Sequence, residues 1–258
     1  MRMDWRPLRT VSEQATRVGR LLFPPYCIFC GELAELMVCA GCRDQLARVQ
    51  PPICPRCGKP LKTDVPRGEC LHCSRHRWYV ESARALLTYE GRGREALHRF
   101  KYGRKRGLAR FFGTELAQAA GDVRRLGALF NWDFGEEPEL VVPMPLHPRK
   151  QFWRGFNQSE LVLRFYAPTL GLPVGTGVLR RVKSTRPQVR LNEAERFANI
   201  RGAFAVPRAM KERVAGKHIL LLDDMVTTGA TMNAAARALQ RAGAGKVYAL
   251  SLYTAALK

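Results

Sequence analysis

Two adjacent carboxylates, Asp223 and Asp224, close an apolar run from Ile219 to Leu222 and lead into Thr227-Thr228-Gly229-Ala230-Thr231. The threonine–glycine turn has the makings of an anion cradle. Backbone N–H groups of a tight turn and of a helix N-terminus point at a bound phosphate, and the hydroxyls of Thr227, Thr228 and Thr231 can donate to it. Gly229 lets the backbone come close. The carboxylates cannot serve that phosphate. They can accept hydrogen bonds from a ribose diol beside it, as an acidic residue does in dinucleotide folds. Diol and phosphate together describe a ribose 5-phosphate. The bland alternative is a charged strand end followed by a helix-capping threonine.

A second chemistry sits at the other end of the chain. All eight cysteines fall in Cys-x-x-Cys pairs: Cys27/Cys30, Cys39/Cys42, Cys54/Cys57 and Cys70/Cys73. Each such turn points two thiolates at one spot, and two turns make the tetrahedral set that zinc prefers. Disulfides fit poorly in a chain without a secretory signal, and a redox pair would explain one motif, not four. Two structural Zn2+ sites are expected, most simply paired in sequence order, with His72 and His76 close enough to exchange for a cysteine. Closed four-thiolate sites leave no open coordination position, so no chemistry is expected at zinc. The module over 22–78 is too small for a large core. Metal binding should supply most of its folding energy, on the order of 10 kcal/mol per site.

The elements that must hold these groups can be read from periodicity. Val11, Ala15, Val18 and Leu22 recur at helical spacing, so residues 1–21 read as a basic amphipathic helix. Strands are expected at Ala83–Tyr89, Glu139–Met144, Val178–Lys183, Ala203–Val206, His218–Leu222 (ending at Asp223) and Lys246–Tyr253. Helical patterns cover Gly91–Gly121 (interrupted at Gly103 and Gly107), Asn157–Leu170, Asn192–Asn199 and Ala230–Ala242, with an irregular stretch at 122–138. Asn157 is the expected N-cap of its helix, with Glu160 at the capping-box position. Strands alternating with helices imply an α/β fold with a mainly parallel sheet covered on both faces. Ligands of such sheets bind at the C-terminal strand ends.

Ile219 to Thr231 resembles the phosphoribosyl pyrophosphate (PRPP) motif of type I phosphoribosyltransferases. Val141 to Lys150, Arg154-Gly155-Phe156-Asn157-Gln158, Thr185-Arg186-Pro187-Gln188, Arg196, Asn199 and Arg201 to Phe204 are similar, in that order, to the ComF/GntX family of competence-associated phosphoribosyltransferases, which Lys101-Tyr102 and the N-terminal cysteine pairs also resemble. The resemblance runs from about Leu22 to the end. It implies a double zinc ribbon (22–78) joined to a phosphoribosyltransferase domain (79–258), with PRPP and Mg2+ as ligands. Asp223 and Asp224 would be the catalytic, ribose-binding pair, and Thr227 to Thr231 would hold the phosphate. Arg149 and Lys150 would meet pyrophosphate, with Arg180, Arg181 or Lys183 from a mobile loop. No acceptor-activating base stands out; His147, between leucine and proline, suits packing as well as catalysis. Thr227 stands where purine-salvage members carry an aspartate, which speaks against a hypoxanthine–guanine enzyme. The family also implies a role in natural transformation, handling incoming single-stranded DNA with a competence helicase as partner. A non-catalytic, PRPP-responsive DNA-binding or adaptor protein is the alternative.

The charge agrees with a polyanionic partner. Lys and Arg number 43 against 22 Asp and Glu, a formal +21. Eight of the basic residues lie between Arg92 and Arg110, including Arg104, Lys105 and Arg106, with Phe100 and Tyr102 interleaved and Phe111 and Phe112 adjoining. Basic residues with aromatics suit single-stranded nucleic acid; the same pattern fits an amphipathic helix whose aromatics are core. No run reaches the roughly 18–20 apolar residues of a membrane span, and a cytoplasmic location without membrane insertion is expected.

Overall fold

The computed structural model describes residues 26–62, 69–120, 136–185 and 191–255. The helix expected over 1–21 and most of the stretch 122–138 lie outside these residues. The chain forms two compact units, Met1–Gln45 and Leu46–Lys258. The division falls inside the stretch that the sequence groups as one zinc module.

In the first unit a knuckle closes through a bridge between Tyr26 and Leu33, and Cys27 N–H donates to the Glu32 carbonyl at 2.6 Å. A single turn of helix, α1 (Ala40–Arg43), follows and buries Cys42.

The second unit begins with the other ribbon, whose one-turn helix α2 (Leu71–Ser74) buries Cys73. It then builds a four-stranded sheet from β1 (Ala83–Thr88), β2 (Leu140–Pro143), β5 (Ile219–Val226) and β6 (Val247–Thr254), in the order β1-β6-β5-β2. Every pairing is parallel. Residues 47–49 run antiparallel along the free edge of β1, with Val49 N–H on the Leu86 carbonyl and Thr88 N–H on the Ala47 carbonyl, so that edge is not left open.

Helices α3 (Gly91–Tyr102), α4 (Leu108–Ala120), α5 (Pro148–Arg154) and α6 (Gln158–Leu170) follow β1 and β2 in turn. Farther on come a two-residue antiparallel pair, β3 (Arg180–Arg181) and β4 (Phe204–Ala205), with α7 (Glu193–Ile200) between them. The last helix, α8 (Ala230–Arg241), joins β5 to β6. It presents Met232, Ala235, Ala236 and Leu239 at helical spacing to the core that contains Leu140, Val142, Ile219, Leu221, Val247 and Ala249. Leu220 and Leu222 are equally buried, as required of a central strand covered on both faces.

Several boundaries differ from expectation, each for a local reason. β5 does not stop at Asp223. Eight-residue β6 keeps supplying backbone partners, pairing Asp223 with Ser251, Met225 with Tyr253 and Val226 with Thr254, so the acidic pair lies inside the strand. The strand expected over Val178–Lys183 shrinks to Arg180–Arg181 because β4 offers only two partners; Val178 and Leu179 pack into the core by their side chains. Asn157 caps α6, but its side chain accepts from Ser159 N–H. That is the second helical amide rather than the third, so the box expected with Glu160 is not closed. A complete capping box instead starts α7, where Asn192 and Glu195 bond reciprocally at 2.9 and 2.7 Å.

Candidate functional site

Asp223 and Asp224 leave β5 on opposite faces, and only the pair's immediate surroundings tell their roles apart. Lys101, on the last turn of α3, reaches Asp224 Oδ1 at 2.6 Å, with both side chains largely buried. Asp223 Oδ1 accepts from the Asp224 N–H at 2.7 Å. Burial and the neighbouring Asp224 carboxylate push the Asp223 carboxyl up to about 7, against the pull of Lys101 and Arg181.

The turn after β5 completes one cleft of about 170 Å³ lined by Lys101, Asp223, Met225, Val226, Thr227, Gly229, Thr231 and Met232. Gly229 is the N-cap of α8 in a left-handed conformation, φ 75°. A Cβ there would also lie 2.5 Å from the Trp78 ring, so no other residue fits without moving the loop. Ala230 begins α8 and is buried.

Basic groups converge on the acidic pair. Burial, and after it the Asp223 charge in opposition, set the Arg181 guanidinium below its usual range. Its Nη2 bonds the Thr185 hydroxyl at 2.5 Å, and its buried Nε has no partner among the described residues. Burial and the charges of Arg181, Arg154 and Lys101 hold the Lys150 ammonium below its usual range. Lys150, like Arg149, is exposed on α5 by surface area, so the neighbouring positive charges are the firmer cause, and cations that depress one another in this way gain from a multivalent anion. Arg180 and Lys183 are also exposed, so of the three loop candidates it is Arg181 that faces the carboxylates. His147 caps α5, its Nδ1 accepting from Arg149 N–H at 3.3 Å, which favours the packing role.

The sequence reading missed two parts of this site. Lys101 was legible as part of the Lys101-Tyr102 likeness and as one charge in a basic run, but not as the partner of Asp224. The second ribbon was not expected at the phosphate turn, yet His72 Nε2 lies 2.8 Å from the Thr228 carbonyl. Trp78 covers Gly229 while its indole N–H donates to the Cys73 carbonyl at 3.0 Å.

The cysteines gather as sequence order suggests. Cys27, Cys30, Cys39 and Cys42 form one group, and Cys54, Cys57, Cys70 and Cys73 the other, with sulfurs within 4.8 Å in each. Pairs at 3.6 Å (Cys30–Cys39), 3.9 Å (Cys54–Cys73) and 3.7 Å (Cys57–Cys70) are too long for disulfides. A tetrahedron with Zn–S arms of about 2.3 Å has edges of about 3.8 Å, and the donor sets fit that ion. Hydrogen bonding to Cys54 pushes the Cys57 thiol up to about 12: four thiolates in contact need a cation before all can ionise.

The basic run around α3 needs correction. Phe100, Phe111 and Phe112 are buried at 0 to 1% exposure and pack on one another, so they cannot stack on bases. Arg104, Lys105 and Arg106 are exposed. Arg106 lies over Phe156 and bonds the Gly155 carbonyl at 3.0 Å, and Arg154 lies over Tyr102. The exposed aromatics beside these basic residues are Tyr102, Phe152 and Trp153, at 65, 83 and 79%. They and the basic residues share one surface formed by the end of α3, the turn after it and α5.

Comparison with known families matches residues 18–75 to the double zinc ribbon domain and residues 158–256 to the phosphoribosyl transferase domain. Curated relatives align over most of the chain. Competence protein F of Haemophilus influenzae is 27% identical over 233 residues, 86% of this chain and 93% of its own. DNA utilization protein YhgH of Salmonella typhimurium is 29% identical over 231 residues, covering 88% and 96%. The chain resembles ComF-type proteins over most of its length. Competence protein ComFC of Bacillus subtilis is 26% identical over 227 residues, 84% of this chain and 82% of its own. Among solved structures, phosphoribosylpyrophosphate synthetase from Mycobacterium smegmatis aligns over 73% of this chain and 56% of its own, with 16% identity and a TM-score of 0.33. An allosteric regulatory enzyme of purine biosynthesis aligns over 55% of this chain and 24% of its own, with 21% identity and a TM-score of 0.32. The chain thus spans about a quarter of the length of that enzyme. The parallel α/β sheet is a phosphoribosyltransferase fold, preceded by a double zinc ribbon. No described helix is long and apolar enough to cross a membrane.

Proposed function

We propose that this protein binds PRPP with Mg2+ in the cleft at the end of β5 and serves the handling of single-stranded DNA in natural transformation, in the cytoplasm. The reading is carried by one observation: Asp223 and the Thr227–Thr231 turn line the same cleft as Lys101, which pairs with Asp224. In this reading Asp223 and Asp224 accept from the ribose hydroxyls. The threonine hydroxyls and the first amides of α8 hold the 5-phosphate. Mg2+ would travel with PRPP, bound chiefly by its phosphate oxygens, and would offset charge growing on departing pyrophosphate. Lys101, Lys150 and Arg181, with Arg149 at the rim, add to that offset. The half-buried Asp223 carboxylate would lie near the ribose carbon where positive charge develops. Pentosyl transfer is the reaction such a site supports; a site that binds PRPP without turnover would use the same contacts as a sensor.

The DNA part draws on the exposed Tyr102, Phe152 and Trp153 beside Arg104, Lys105 and Arg106, an arrangement suited to stacking bases and neutralising phosphates. It also draws on relatives named for competence and DNA utilization. A DNA-translocating helicase is the expected protein partner. The deciding experiment is calorimetric titration of the zinc-loaded protein with PRPP and Mg2+, beside Asp223→Asn/Asp224→Asn. Saturable binding by the wild type that the double variant lacks is the expected result. A folded wild type that takes up no PRPP would sink the proposal.

A further inference from the structure

We propose that His72, His76 and Glu193 form a third metal site, for a divalent ion of borderline softness such as Zn2+, separate from both four-cysteine groups. The Cys54–Cys73 group supplies four thiolates without them, so the histidines are not spare ligands of the ribbon. His72 lies in α2 and His76 follows it at helical spacing; Glu193 opens α7, far along the chain. The fold nevertheless sets His72 Nδ1 at 2.9 Å and His76 Nε2 at 2.5 Å from the same oxygen, Glu193 Oε1. One donor atom from each residue lies within 4.8 Å of the others. A tetrahedral ion with arms of about 2.0–2.1 Å holds its ligands about 3.4 Å apart, so a small outward turn of the half-exposed Glu193 side chain opens room for it.

Hydrogen bookkeeping favours an ion at this point. The Thr228 carbonyl, 2.8 Å from His72 Nε2, can only accept, so Nε2 carries the hydrogen. On a neutral ring the Nδ1 lone pair would then face Glu193 Oε1, another acceptor, whereas a doubly protonated ring would donate to it. A cation bound by Nδ1, Oε1 and His76 Nε2 turns that opposition into coordination. A histidine whose second nitrogen donates to a backbone carbonyl is oriented as metal-bound histidines are. Packing holds both rings: His76 stacks on Phe197 with centroids 4.0 Å apart, and His72 meets Trp78 edge-on at 5.8 Å. Two imidazoles and a carboxylate select Zn2+, Co2+ or Fe2+ over Mg2+ or Ca2+. With three protein ligands and a solvent-facing carboxylate, the site keeps an open position and exchanges its ion more readily than the closed ribbons. Its occupant would join α7 to the phosphate turn through one histidine ring.

The test is a Co2+ titration of the full-length chain carrying two zinc ions, followed by absorption spectroscopy. One further equivalent of Co2+ is expected, with d–d bands but without the thiolate-to-cobalt charge-transfer band that exchange into a ribbon would produce. Glu193→Gln should weaken that uptake at least tenfold while retaining two zinc ions, and His76→Asn should do the same. No uptake beyond exchange into the ribbons would overturn the proposal, leaving a plain histidine–glutamate ion pair. Undiminished uptake by a Glu193→Gln protein that keeps its two zinc ions would overturn it equally.

Discussion

Ribose hydroxyls need a carboxylate to accept their hydrogen bonds, and burial beside Asp224 pushes the Asp223 carboxyl up to about 7. Binding should therefore favour the ionised form and release a proton below that pH. PRPP affinity is expected to rise about fivefold from pH 6 to 7, about tenfold by pH 8, and to level off above that. Titrations in buffers of different ionisation enthalpy would reveal the proton; a flat profile would place the ribose elsewhere. The same raised carboxyl binds its proton more tightly in the folded than in the unfolded state. The free protein should thus lose stability as pH rises from the usual carboxylate range through about 7. Lys101→Met tests the other carboxylate. Removing the partner of Asp224, paired at 2.6 Å, should cost about 3 kcal/mol of stability, read by urea unfolding, and weaken PRPP binding. The acidic pair and the threonine turn were legible because all their atoms lie within one short stretch. The role of Lys101 was not, because its partner is remote in sequence and a lysine in a basic run looks like any other.

The elements divide in the same way. β5 and α8 announce themselves by an unbroken apolar run and a helical stripe, and both formed where expected. The end of β5 was misread because β6 sets how far pairing continues, and a strand's own residues do not encode its neighbour's length. α5 was the larger omission. Seven residues beginning at Pro148 carry too short a period to read as a helix, yet they expose Phe152 and Trp153. Aromatics buried in α3 and α4 had been the alternative stacking candidates. If α5 is the stacking platform, Phe152→Ser/Trp153→Ser should lower single-strand affinity by about 1–3 kcal/mol per lost stack without changing PRPP binding. Fluorescence anisotropy with a labelled oligonucleotide measures the first and calorimetry the second; unchanged anisotropy would remove α5 from the interface.

For the whole molecule, a formal charge of +21 predicts that single-strand binding is governed by salt. Three neutralised phosphates give a slope of about −2 in log K against log salt, a loss of roughly twentyfold between 50 and 200 mM. Arg104→Glu/Lys105→Glu/Arg106→Glu should flatten that slope; an unchanged slope would mean other charges carry the contact. The two-ribbon, one-sheet order was plain from the cysteine spacing and the strand–helix alternation. The joint was not, since the second ribbon is built into the sheet's own unit. A fragment starting at residue 46 should keep one zinc and the PRPP cleft, whereas one starting at 79 should not fold; circular dichroism of the two distinguishes them. On the ribbon's side that joint uses main-chain atoms: the Arg56 carbonyl accepts from Ala83 N–H at 2.6 Å, and the Pro55 carbonyl accepts from the Arg84 guanidinium at 2.7 Å. A seam stitched from backbone is blind to most of the residues passing through it. Trp78 and Arg84 are held there by their own side chains, and position 58 is pinned to glycine, because any side chain on Gly58 would run into the Ala83 carbonyl at 2.3 Å.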